Sequence, residues 1–323
     1  MPKDSRRITF SRRTALASLS LGAVTLVAAS NVYRPHLQDR VFGLAANGFD
    51  DEAVKRTATT AAALGRRLDA LVFYDAFSQQ APLPTALLDR IMALGVMPVL
   101  TWEPWNPEGG AAQPLYSAAQ IAGGRFDAYV AMWARQVAQD GRRFMLRFGH
   151  EMNGDWYPWS VGRSGARPED YVAAFRRVRR IFDDSGANQV QWVWSPNVII
   201  NDDRDAISHC YPGDDYVDVI GIDGYNFGDD GGHRWRTPGD LFGPTIDLVA
   251  ELAPNKPVWI TEVGCADRGG DKASWITDLV SFLESTDVVG LIWFEADKPG
   301  EPDWRLTSTR ATGDAARAAL RGW

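Results

Sequence analysis

Short apolar runs rich in β-branched and aromatic residues alternate with longer amphipathic stretches along most of this chain. The runs are Val41–Ala46, Leu68–Tyr74, Met97–Trp102, Arg143–Phe148, Val190–Trp194, Val217–Ile222, Pro257–Thr261 and Val288–Phe294. Several are apolar on both faces, as strands buried in a parallel sheet must be. Between them, Asp51–Leu64, Thr85–Leu94, Phe126–Gln139, Glu169–Phe182, Gly239–Leu252 and Lys272–Leu283 carry apolar residues at helical spacing. The fifth connection, Pro196 to Asp215, shows little helical periodicity.

Eight strands alternating with helices fit either a (β/α)₈ TIM barrel or a doubly wound sheet. Residues 41–323 divide into eight units of about 35 residues, within the usual range for a barrel. The stretch after the first strand, Asn47-Gly48-Phe49-Asp50, lacks the glycine-rich fingerprint of a dinucleotide-binding turn. A single-domain α/β barrel over residues 31–323 is therefore the expected fold.

The first 30 residues read differently. Lys3, Arg6, Arg7, Arg12 and Arg13 precede an apolar run from about Ala15 to Ala29, too short for a comfortable membrane span but suited to a signal-peptide core. Ala28, Ala29 and Ser30 offer a cleavage site, and Ser11–Ala17 resembles a twin-arginine export signal, with Ala15 and Ala17 in place of the usual Phe and Lys. An ordinary secretory signal or an uncleaved anchor is the alternative. Export to the periplasm or the medium is the expectation, with no membrane contact beyond that leader.

Residues 1–30 carry five basic residues and one acidic, so the rest of the chain holds −11 of a total of −7. No basic cluster remains there, which argues against a nucleic-acid partner. Cys210 and Cys265 allow at most one internal disulfide. No binding module or linker is evident beside the barrel, and a monomer is expected.

A barrel of this kind does its chemistry at the C-terminal strand ends. The acidic residues there are Asp75, Glu103, Glu151, Asp223, Glu262 and Glu295. Any one alone reads as a solvated loop charge or a helix N-cap. Glu151 and Glu262 stand out because each closes an apolar run. They are 111 residues apart, three units of 37, which places them on strands 4 and 7, facing across the mouth. Two carboxyls in one partly desolvated cleft suit glycoside hydrolysis, one protonated as acid and one ionised as nucleophile or base. The four histidines, His36, His150, His209 and His233, form no metal-binding spacing, and no G-x-S-x-G elbow is present. Neither metal nor cofactor is expected. The thirteen tryptophans could serve a core or a sugar-stacking surface equally well.

Five blocks now add up: RFGHEMNGDWYPW (147–159), VWSPN (193–197), VDVIGIDGYN (217–226), WITEVG (259–264) and WFEADKPGEPDWR (293–305). In this order they resemble glycoside hydrolase family 26, the β-mannanase family of the retaining (β/α)₈ clan, over most of residues 41–305. The resemblance implies Glu151 as acid/base, Glu262 as nucleophile, His150 beside the sugar next to the nucleophile, and Tyr225 orienting that nucleophile. It implies Trp156 and Trp293 as aromatics lining the cleft, and Trp102, Glu103 and Trp105 as a more distant wall. Taken alone, His150 reads as a satisfied buried histidine and Trp293 as core. By strand parity with Glu151, Arg147 is expected to point inward toward a carboxylate. Asp223 is expected to order its strand end or bind a backbone N–H, and Glu295 to border the cleft without a catalytic part. The acidic loops 201–205 and 228–232 lack the spacing of a calcium loop. The implied substrate is a polysaccharide or oligosaccharide, β-1,4-mannan first. Mixed-linkage β-glucan, β-1,3-xylan and bacterial exopolysaccharide are alternatives, as is a non-catalytic carbohydrate-binding barrel.

Overall fold

In the computed structural model, which describes residues 40–45, 51–163, 165–229 and 231–323, eight parallel strands each pair with their sequence neighbours, and the last pairs with the first. The strands are β1 (Val41–Ala45), β2 (Ala70–Ala76), β3 (Met97–Glu103), β4 (Phe144–Phe148), β5 (Val190–Trp194), β6 (Val219–Asn226), β7 (Val258–Cys265) and β8 (Val288–Phe294). The helices are α1 (Asp51–Ala63), α2 (Thr85–Ala93), α3 (Ala118–Ala122), α4 (Asp127–Asp140), α5 (Pro168–Asp184), α6 (Asp205–Ser208), α7 (Pro238–Leu252), α8 (Lys272–Glu284) and α9 (Arg310–Ala319). This is the (β/α)₈ barrel that the strand–helix alternation implies. The export-signal segment 1–30, His36 and the stretch 47–50 lie outside the described residues.

Alternation along the strands builds two cores. Val72, Val99, Met145, Val193, Val219, Trp259 and Ile292 fill the barrel interior. Leu71, Leu100, Leu146, Trp192, Ile220, Ile260 and Leu291 face outward and bury the apolar stripes of the helices. Helix α5 shows how such a stripe arises. Pro168 opens it, Glu169 and Asp170 complement its N-terminal dipole, and Tyr171, Ala174, Phe175, Val178 and Phe182 recur on one buried face.

Three features depart from the reading by pattern. β6 and β7 run four residues past the expected ends at Ile222 and Thr261, so Asp223 and Glu262 lie within strands rather than after them. Helix α9 packs through the small residues Thr312, Gly313 and Ala316, which carry little apolar signal. The five-residue α3 is too short to show a period. In the fifth connection the only helix is the four-residue α6, in keeping with its weak periodicity.

Candidate active site

At the end of β4, Met145 and Arg147 point into the barrel while Phe144, Leu146 and Phe148 point out. The chain then turns sharply, with Gly149 at φ 55° and Glu151 at φ 52°. The second is uncommon for a residue with a side chain and costs on the order of 1 kcal/mol. Four hydrogen bonds hold it. The Glu151 N–H donates to Ser195 O at 2.7 Å, and Gly154 N–H donates to Glu151 O at 3.0 Å. The Trp159 indole donates to His150 O at 2.7 Å, and the Tyr171 hydroxyl to Gly149 O at 3.0 Å. The Glu151 carboxylate so placed accepts from Trp156 Nε1 at 2.7 Å and from Asn197 Nδ2 at 2.8 Å. Asn153 in turn clamps the Asn197 backbone, accepting from its N–H at 2.8 Å and donating to its carbonyl at 2.9 Å.

Glu262 reaches the interior by a different device. Trp259 and Thr261 are inward residues of β7, and strict alternation would turn Glu262 out toward the helices. The pairing with β6 slips instead: Ile260 lies opposite Ile222, but Glu262 lies opposite Asp223, leaving Thr261 unopposed. This bulge lets Thr261 and Glu262 both face inward. Glu262 Oε1 accepts from the Tyr74 hydroxyl at 2.7 Å and from the Arg147 guanidinium, and Oε2 accepts from the Tyr225 hydroxyl at 2.6 Å.

Below it lies a buried polar floor. Arg147 donates to Asp223 at 2.7 Å and to Thr101 Oγ1 at 3.0 Å, and Asp223 also accepts from Ser195 at 3.0 Å and Thr261 at 2.7 Å. Gly221 makes room for this network, since a Cβ there would sit 2.4 Å from Thr261 Oγ1 and 2.6 Å from Ser195 Oγ. Both Arg147 and Asp223 are fully buried, so the pair depends on its hydrogen bonds to offset desolvation.

The two glutamates are driven in opposite directions. Burial, then repulsion from Glu262, pushes Glu151 up to about 7, against the hydrogen bonds from Asn197 and Trp156. Burial would raise Glu262 too, but the Arg147 charge, with the Tyr225 hydroxyl, outweighs it and holds the carboxylate down at about 2. Burial also keeps His150 well below the usual imidazole range, with Nε2 3.1 Å from the Tyr157 hydroxyl. One buried carboxyl held protonated near neutrality beside one held ionised is an acid paired with a nucleophile or base. Beyond Trp156 a cavity of about 410 Å³ opens between the loops after β4 and β5, bordered by Asn153, Ile200, Asn201, Asp203 and His209. Among the described residues no group of three or more His, Cys, Asp or Glu is placed to hold a metal ion.

Comparison with known proteins bears on the family and the fold. The model of Glycosyl hydrolase family 26 matches residues 119–255. Endoglucanase H of Acetivibrio thermocellus is 34% identical over 263 residues, 79% of this chain and 28% of that protein. The chain belongs to glycosyl hydrolase family 26. A mannan endo-1,4-beta-mannosidase of Bacillus subtilis is 26% identical over 164 residues, 48% of this chain and 41% of that protein. The chain therefore spans less than half the length of either relative. The fold matches that of a GH26 beta-mannanase from Bacteroides ovatus, BoMan26A, with a TM-score of 0.65, 20% identity, and 88% and 89% of the two chains covered.

Within this family-26 barrel, Glu151, Glu262, Tyr225, Arg147 and His150 converge at the mouth. Trp156, 38% exposed, stands at its rim. Two expected cleft residues do not reach it. Trp293 has outward parity on β8; its indole is 1% exposed, donates to Trp304 O at 2.6 Å and meets Trp275 of α8. The next residue, Phe294, faces inward instead and lies 5.7 Å from the Tyr225 ring. Trp102 likewise faces out from β3, fully buried and stacked on Trp133 of α4 at 4.7 Å. Its neighbours Glu103 and Trp105 are joined to each other, Trp105 Nε1 donating to Glu103 Oε2 at 3.2 Å.

Asp223 binds side chains of the floor, and Glu295 ties down the following loop by accepting from Leu306 N at 2.9 Å. Cys210 and Cys265 are both free and buried, so no disulfide joins them. Sequence reasoning passed over Tyr74 and Asn197 as site residues. Tyr74 shares the inward parity of Val72, and Asn197 closes the quoted VWSPN block. Those were the available signals.

Proposed function

We propose that this family-26 domain is a retaining endo-β-glycosidase, and that the opposite protonation of Glu151 and Glu262 carries the reaction. Glu262, ionised and oriented by Tyr74, Tyr225 and Arg147, attacks the anomeric carbon as Glu151 gives its proton to the departing glycosidic oxygen. A covalent glycosyl-enzyme forms and the leaving sugar departs neutral. Glu151, now ionised, takes a proton from water, which attacks the same carbon and releases Glu262 with the anomeric configuration retained. This chemistry needs no metal or cofactor. The cavity beyond Trp156, on the acid's side of the site, offers room for a leaving group longer than one unit, which supports internal cleavage.

For the polymer, β-1,4-mannan is the first reading, supported by the mannan endo-1,4-beta-mannosidase of Bacillus subtilis. A β-glucan is the second, favoured because the Endoglucanase H match has both the higher identity and the longer coverage. The test is reducing-sugar release from mannan, mixed-linkage β-glucan, β-1,3-xylan and bacterial exopolysaccharides, with product anomers followed by NMR. The β-anomer should form first. An α-product would sink the double displacement, and hydrolysis of no glycan would leave a carbohydrate-binding barrel. The basic and apolar N-terminal segment supports export of this enzyme, and cell fractionation should find it outside the cytoplasm.

A further inference from the structure

Glu103 is the buried carboxyl that this mechanism does not use. It closes β3, in register with Ala76 and one inward position above Thr101, so it overhangs the Arg147–Glu262 pair from the mouth side. Only 7% of its surface is exposed. Its side chain has one hydrogen-bond partner, Trp105 Nε1 on Oε2, which leaves Oε1 without one among the described residues. Glu262, Arg147 and Lys298 are the charges that act on it, and Lys298 sits 4.5 Å over the inward Phe294 ring. The Glu151 carboxylate instead takes its partners from the loops after β4 and β5, where the cavity for the leaving group opens. Glu103 thus borders the side of the cleft where the sugar joined to Glu262 must lie, above Tyr74.

Resting on the glycosidase reading, we propose that Glu103 is a substrate-binding residue. It would hydrogen-bond hydroxyls of the glycosyl unit on the nucleophile's side. Oε1, without a protein partner at the edge of the cleft, is left to water, and a sugar hydroxyl can take that water's place. Burial pushes Glu103 up to about 8, so near neutrality it is a carboxylic acid, able to donate to one hydroxyl and accept from another.

The competing explanation is that Glu103 only anchors Trp105, whose ring packs edge-on against Tyr157 at 5.0 Å. Calorimetric binding separates the two, measured on chains already carrying Glu262→Ala so that no turnover intrudes. The probe is mannohexaose, or cellohexaose if β-glucan is the polymer cleaved by the wild-type chain. Glu103→Ala should weaken binding by about tenfold or more, while Glu103→Gln, which keeps a donor and an acceptor, should stay within roughly threefold. Trp105→Phe, which removes the anchor but leaves the carboxyl, should cost less, and its effect should add to that of Glu103→Ala. Unchanged affinity in Glu103→Ala would overturn the proposal, as would equal and non-additive losses in Glu103→Ala and Trp105→Phe. Failure of the glycosidase reading shows elsewhere, as absence of hydrolysis by the wild-type chain.

Discussion

Glu151 and Glu262 are the same residue type at the mouth ends of strands three apart, and each is about 5–6% exposed. Depth of burial therefore does not distinguish them. Glu262 is bonded to a buried arginine and two tyrosine hydroxyls, and its charged form prevails. Glu151 meets only neutral donors, an indole and an amide, and burial prevails. In a desolvated site the nearest opposite charge decides the protonation state, and Arg147 stands beside one glutamate. The backbones differ to match. A bulge aims Glu262, and a left-handed turn aims Glu151.

Removing the nucleophile should break this comparison most completely. Glu262→Ala is expected to lower kcat by roughly 10⁴-fold or more while oligosaccharide binding survives, as kinetics and calorimetry on one preparation would show. Glu151→Ala should cost about 10²–10⁴-fold on natural glycans. The loss should nearly vanish in the first step with an aryl glycoside whose leaving group needs no proton, and an equal loss on both substrates would remove the acid role.

The pH dependence sharpens the same contrast. As the acid, Glu151 is competent below its value of about 7 and lost above it, so kcat/KM should fall as pH rises through that region. The acid limb should appear only as pH falls toward the value of about 2 at which Glu262 protonates. Asn197→Ala withdraws a donor that favours the ionised form of Glu151, so the alkaline limb should move to higher pH. A limb that stays in place would mean that Asn197 does not act on Glu151. Smallest in its effect on catalysis is Trp293→Phe. That change should lower stability by about 1–3 kcal/mol in thermal melts and leave KM unaltered, as befits a ring packed behind the sheet.

Much of the barrel is legible without a structure, because alternation between short apolar runs and amphipathic stretches is a local property of each segment. Most strand and helix limits fall within a residue or two of the expected ones. The elements that escaped, α3 and α9, are those with too few large apolar residues to show a period. The site was legible in part. Arg147 faces inward as its parity requires, whereas Trp102 and Trp293 carry the right residue type on the wrong parity.

The sequence by itself determined that eight strands would form, that Glu151 and Glu262 would lie toward the mouth ends of the fourth and seventh of them, and that aromatics would be plentiful nearby. These follow from periodicity and spacing, which each segment carries alone. Only the tertiary structure decided which aromatics face the cleft, that Tyr74 would meet a glutamate 188 residues away, and that one arginine would sit against Glu262 and not Glu151. The physical reason is that a one-residue slip between β6 and β7 reverses which side chains point inward. A carboxyl's charge in a dry site, likewise, depends on neighbours that the chain brings together only when the barrel closes.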